Sequence, residues 1–201
     1  MTLITDTEPA QSTRRANTES PLLDVLAERW SPRSYDKTAV ISEAVLTTVL
    51  EAARWAPSAS NMQPARFIVA RRGSASFAKI NDALLGFNKA WADTASVLIV
   101  NVAKLAIDET RDNPWARYDL GQAVAHLTIQ AQSEGLHTHQ MGGFDGEAIA
   151  TAFNLTDDQA VVTVTALGVL GSADDLTPEL REREVAPRSR LPLAELLLVN
   201  D

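Results

Sequence analysis

Apolar residues return at helical and at alternating spacing along this chain, and the two periods divide it into elements. Behind Ser42, the residues Val45, Leu46, Val49, Leu50 and Ala53 fall on one helical face. That helix ends near Trp55, because Pro57 blocks its continuation. Phe67-Ile68-Val69-Ala70 reads as a buried strand, turned at Arg71-Arg72-Gly73. Phe77, Ile80, Leu84 and Leu85 outline a short helix that Gly86 stops. Val97-Leu98-Ile99-Val100 and residues 161–167 are branched, strand-like runs. Between them, Leu120, Ala123, Val124, Leu127 and Ala131 stripe a long helix over residues 115–134, opened by Asn113-Pro114 and closed by Gly135. Ser20-Pro21 predicts the start of a first helix carrying Leu22, Leu23, Val25 and Leu26. Asp145 should cap a helix over residues 146–153, and Thr177-Pro178 a short charged one ending at Glu184. Residues 104–114 are polar and loop-like.

Composition narrows the picture. A chain of 201 residues, 45% hydrophobic, can bury one sizeable core, so residues 21–201 are expected to form one domain. Residues 1–20 are rich in Thr, Ser, Glu and Arg and read as a disordered or loosely docked tail without the apolar core of a secretory signal. The 26 acidic against 18 basic residues give a net charge of −8, which argues against nucleic acid or an anionic membrane as a partner. No cysteine is present, so thiolate catalysis and disulfides are excluded, in keeping with a cytoplasmic location. No apolar run approaches the roughly 20 residues of a membrane span.

Four polar segments interrupt the apolar pattern. Arg29-Trp30-Ser31-Pro32-Arg33-Ser34-Tyr35 forms a cationic, donor-rich corner, and guanidinium forks with hydroxyls are the groups that hold a phosphate dianion. Residues 57–64, Pro-Ser-Ala-Ser-Asn-Met-Gln-Pro, are longer than a plain helix-to-strand turn needs and are stiffened by two prolines. Met141-Gly142-Gly143-Phe144-Asp145 places paired glycines where backbone amides could approach a planar ligand. Pro187-Arg188-Ser189-Arg190 is a second basic cluster, far from the first in sequence. Each has an ordinary alternative, a local turn or a solvated surface pair. His137-Thr138-His139 would set two imidazoles on one face of a strand, but no third ligand lies nearby in sequence. No Gly-x-Gly-x-x-Gly follows a strand, no Walker lysine occurs, and no Ser/His/Asp set stands out.

In order and spacing, these four segments resemble the motifs of the nitroreductase family of FMN-dependent, NAD(P)H-using oxidoreductases, and the resemblance spans about residues 22–199. It implies an α+β fold, a mainly antiparallel sheet flanked by helices, in an intertwined homodimer with exchange of the C-terminal segment. It implies FMN as cofactor and NAD(P)H as co-substrate, with a small electron-poor acceptor such as a nitroaromatic or quinone reduced in a ping-pong cycle. By the same resemblance Arg29 and Ser31, with Trp30 between them, hold the FMN phosphate, Arg33 reaches toward the ring, and Arg188 and Arg190 complete the phosphate site. Pro57, Ser58, Ala59, Ser60, Asn61 and Gln63 line the pocket, and Asn88, Gly142 and Gly143 meet the polar edge of the flavin. Trp115 and Tyr118 are candidates for the open flavin face, with core packing as the alternative. The long helix, with Asp119-Leu120-Gly121 near its start, corresponds to one in the core of the dimer. Its His126 reads as a core or interface residue. No side chain is expected to act as acid or base. Same-fold flavoenzymes that dehalogenate, oxidise azolines or fragment flavin, and a flavin-free binding or regulatory dimer, remain alternatives.

Overall fold

A computed structural model describes residues 14–201, so most of the expected tail, residues 1–13, lies outside the described residues. Four strands form one sheet in the order β1 (Ala65–Arg71), β2 (Val97–Lys104), β6 (Gln159–Gly168), β5 (His137–Met141), with every neighbouring pair antiparallel. The hairpin β3 (Ala106–Asp108) and β4 (Arg111–Asp112) stands apart, inside the segment that its polar composition marks as a loop.

Strand β2 shows how the sheet is covered on both faces. Its residues alternate, as strand side chains must. Leu98, Val100 and Val102 join Phe77, Ile80, Leu84, Trp91 and Ile149 under α3 (Ala75–Asp82) and α5 (Gly146–Ala152). Val97 and Ile99 join Leu46, Val49, Ala123 and Leu127 under α2 (Glu43–Arg54) and α4 (Ala116–Ser133). With both faces buried, the strand reads as one continuous apolar run. Asn101 interrupts it, fully buried, and donates through Nδ2 to Thr163 Oγ1 at 2.9 Å and Thr165 Oγ1 at 2.7 Å on the neighbouring strand.

Helix ends follow the expected side chains at Ser42, which accepts from Val45 N, and at Asp145, which accepts from Ala148 N. Gly135 closes α4 with φ +72°, a conformation that side-chain-bearing residues rarely adopt. The first helix departs from expectation. Leu23 keeps an extended backbone (φ −57°, ψ 139°) and α1 runs only over Asp24–Glu28, so Ser20 caps nothing. Leu22 and Leu23 have no core to enter and lie exposed, so packing does not extend the helix backwards. The chain closes with α6 (Pro178–Val185) and α7 (Leu193–Leu196).

Candidate functional site

Arg29 caps the C-terminal end of α1, where the helix dipole favours a cation. The C-terminal segment brings Arg188 and Arg190 to the same place, and all three line one cavity of about 450 Å³. Burial lowers the pKa of Arg29, and the charge of Arg190 lowers it further. Arg188 is lowered likewise, by burial and then by Arg29, Arg190 and Arg14. Mutual repulsion among guanidinium groups marks a site where an anion would be stabilised. Arg29 Nη1 reaches Ser31 Oγ at 3.5 Å, and Arg190 Nη1 donates to Ser189 O at 2.7 Å. Arg188 is committed differently, with Nη1 donating to Arg14 O at 2.7 Å and Ala27 O at 2.8 Å.

The rest of the first motif turns inward. Trp30 is buried beneath the Arg14 guanidinium, 4.1 Å from its ring centroid, and meets His137 edge-on; its Nε1 has no hydrogen-bond partner. Arg33 faces Glu184 of α6 at 3.7 Å, and the same carboxylate accepts from the backbone N–H groups of Arg33 and Ser34. Burial raises the Glu184 pKa although those donors pull the other way.

Residues 57–63 form a strained turn. Ser60, Asn61 and Gln63 have φ of 48°, 56° and 48°, an unfavourable region for residues with a Cβ. Side-chain groups help hold it: Gln63 N donates to Ser58 Oγ at 2.9 Å, Gln63 Nε2 to Asn61 O at 3.2 Å, Ala59 N to Asp119 Oδ2 at 3.1 Å, and Arg66 Nη1 to Gln63 O at 2.8 Å. Pro57, Ser58 and Gln63 line a second cavity of about 310 Å³ with Leu50, Phe67 and Asp119, none of which borders the arginine cavity. Within one chain the two polar motifs therefore serve separate cavities.

Asn88 and the paired glycines are brought together. Asn88 Nδ2 and Leu85 N both donate to Gly143 O, at 3.1 and 3.0 Å. A Cβ on Gly143 would sit 2.9 Å from Asn88 Nδ2, whereas Gly142 faces open space. Trp115 and Tyr118 are 56% and 66% exposed at the start of α4, which removes core packing as their role. His126 is also exposed on that helix rather than in the core of the chain.

His137 and His139 lie side by side on β5. His139 Nδ1 lies 2.8 Å from Pro32 O, and because a carbonyl only accepts, Nδ1 carries the proton. Burial, opposed by that bond, takes the His139 pKa down to about 4. Among the described residues no group of three or more His, Asp or Glu is arranged to hold a metal.

The sequence reading places Asp119 in a helix-start motif, Glu184 at a helix end and residues 16–20 in a tail, and misses their contacts at Ala59, at Arg33 and Ser34, and at the arginine cavity. Asp119 alone left a trace, a carboxylate directly beside the apolar stripe of α4.

Comparison with known proteins agrees with this architecture. A model of the nitroreductase family matches residues 26–90 and 84–169. An uncharacterized 15.4 kDa protein of Mycolicibacterium smegmatis is 40% identical over 141 residues, covering 65% of this chain and 92% of its own. An NADH dehydrogenase of Thermus thermophilus is 27% identical over 213 residues, covering 89% and 97%. The solved structure of an oxidoreductase containing FMN matches with a TM-score of 0.87 at 34% identity, over 91% of this chain and 93% of that one. With the family model spanning most of the chain, and helices packed on both faces of an antiparallel sheet, this protein belongs to the nitroreductase family.

Proposed function

We propose that the chain is an FMN-dependent oxidoreductase that takes hydride from NAD(P)H and reduces a small electron-poor acceptor, a nitroaromatic, a quinone or a similar compound, by a ping-pong cycle. The observation that carries this reading is the meeting of Arg29, Arg188 and Arg190, from opposite ends of a chain of net charge −8, at one cavity. Two partly buried guanidinium groups, Arg29 and Arg188, whose pKa values are lowered by burial and then by neighbouring arginines, fit a phosphate dianion. Bound FMN would supply the redox chemistry, accepting hydride at N5 and passing it to the second substrate. The chain's own part is to bind and orient. Arg29 and Arg190, with Ser31, would hold the phosphate, while Asn88, Gly142 and Gly143 would meet the ring's polar edge. The open space at Gly142 lets a flat ligand approach the backbone.

The working unit in this reading is a homodimer. Leu191, Leu193, Leu196, Leu198 and Val199 are exposed, Leu198 at 97%, and an apolar terminus of this kind suits burial against a second copy. Gly121 and Ala125 lie on the exposed side of α4, small enough for close approach of a partner helix. A second copy could also bring its residues 57–63 to the arginine cavity of the first, joining the two motifs that one chain keeps apart.

A visible absorption spectrum of the purified protein tests the reading. Yellow flavin absorption that bleaches anaerobically with NADH or NADPH is expected. A colourless protein that takes up no FMN at micromolar concentration overturns it.

A further inference from the structure

Residues 14–20 are fastened to the body of the protein. Ala16 N donates to Ala27 O at 2.8 Å, and Arg14 Nη2 to Ala186 O at 2.6 Å. Arg15 pairs with Asp24 at 2.7 Å and Glu28 at 2.9 Å, clamping the segment along α1. The Arg14 guanidinium stacks on Trp30, and Arg188 Nη1 ties Arg14 O to Ala27 O. Held this way, Ala16, Asn17, Thr18, Glu19 and Ser20 line the same cavity as Arg29 and Arg190.

We propose that residues 14–20 are a wall of the cofactor site, closing over the phosphate and its polyol chain, and that Arg188 is a positioning residue that acts by fastening this wall. The proposal rests on the FMN reading above and adds to it a ligand-facing segment and a different task for one arginine. Its chemistry fits a sugar-alcohol phosphate. Asn17, Thr18 and Ser20 offer an amide and two hydroxyls to a polyol, while Glu19 limits the excess of positive charge beside Arg29 and Arg190. Both bonds leave one nitrogen, Nη1, whose two hydrogens are fixed in the guanidinium plane and which lies one bond beyond the reach of a lysine Nζ. With both Nη1 hydrogens directed at backbone oxygens, removal of Arg188 releases the wall at Arg14 O and takes away one of the two donors to Ala27 O, which keeps Ala16 N.

The test is a cycle of full-length variants read by the rate at which FMN leaves, followed by the rise in flavin fluorescence after dilution into flavin-free buffer. Arg188→Ala removes the tie, and Arg15→Glu sets a third acid against Asp24 and Glu28 and lifts the wall without touching the cavity's cations. Each is expected to speed FMN release about tenfold, the loss of one charge-assisted hydrogen bond. The double variant is expected to release FMN little faster than either single one, because both open the same wall. Circular dichroism and gel filtration confirm that the variants remain folded, and Arg188→Lys serves if Arg188→Ala does not fold; it is expected to release FMN like the alanine variant. Multiplying effects in the double variant would assign Arg188 a direct, independent contact and overturn the proposal. Wild-type release unaffected by Arg15→Glu also overturns it while leaving the FMN reading intact. A wild-type chain that binds no FMN fails the FMN reading itself, and the wall with it.

Discussion

Arg29, at the end of the first helix, and Arg190, near the C-terminus, line the same cavity, and after burial the charge of Arg190 is what lowers the Arg29 pKa. Two like charges are kept together only where something gains from them, and in the proposed reading that is the FMN phosphate.

Arg190→Ala should therefore weaken FMN binding by about 1.5–3 kcal/mol, roughly 10- to 100-fold. The fold should survive, since the side chain of Arg190 donates to its neighbour's carbonyl, a local bond. Flavin titration beside a thermal melt checks both halves; unchanged affinity removes Arg190 from the phosphate site.

The turn at residues 57–63 should be sensitive to side-chain shape at Ser60 and to the loss of the hydroxyl at Ser58. Ser60→Val, a branched side chain at φ 48°, is expected to destabilise by more than about 1 kcal/mol, while Ser60→Gly is close to neutral. Ser58→Leu removes the oxygen that accepts from Gln63 N and should also expel flavin. Urea melts and flavin content measure the two effects, and retained flavin in Ser58→Leu would make this an ordinary turn.

Glycines packed against Tyr35 should tolerate a methyl group worst. A Cβ at Gly171 would lie 2.7 Å from the Tyr35 carbonyl carbon, and one at Gly168 2.7 Å from its ring, whereas Gly142 has open space. Gly171→Ala should cost about 1–3 kcal/mol, lowering Tm by a few degrees, and Gly142→Ala almost nothing. Differential scanning calorimetry that ranks them the other way would contradict the close packing of Tyr35 on these two glycines.

Acid should weaken the fold through His139. Its pKa falls from 6.5 to about 4 in the folded chain, chiefly by burial, so between those values the unfolded chain binds the extra proton. Stability from this group is complete above pH 6.5 and is lost as pH falls toward 4, by up to about 3 kcal/mol. Glu184, whose pKa is raised by burial, contributes with the opposite sign. His139→Gln should flatten the difference between melts at pH 7 and pH 4.5; an unchanged slope would mean the imidazole is free to protonate in place.

The elements that announce themselves in sequence are those with a period. β2, α2 and α4 sit close to where Val97-Leu98-Ile99-Val100, the Ser42 cap and the Leu120-to-Ala131 stripe place them. Ser20-Pro21 misleads because a capping pair needs a buried face behind it, and Leu22 and Leu23 remain at the surface. The hairpin β3–β4 has Ala106 and Ile107 as its apolar residues among charged neighbours, too short a run to mark it as strand. At the site, charge was legible and partnership was not. Arg29, Arg188 and Arg190 stand out in an acidic chain, but the pairing of Arg33 with Glu184 and the grip of Asp119 on Ala59 depend on contacts far apart in sequence.

The leucines of the last nine residues bear on every measurement named above. If copies of the chain shelter them for one another, the melting temperature is no fixed property of the sequence but climbs with the amount of protein in the cuvette. Variants then need to be ranked at matched molarity, and a dilution series becomes the control that tells a weakened fold from a loosened pair.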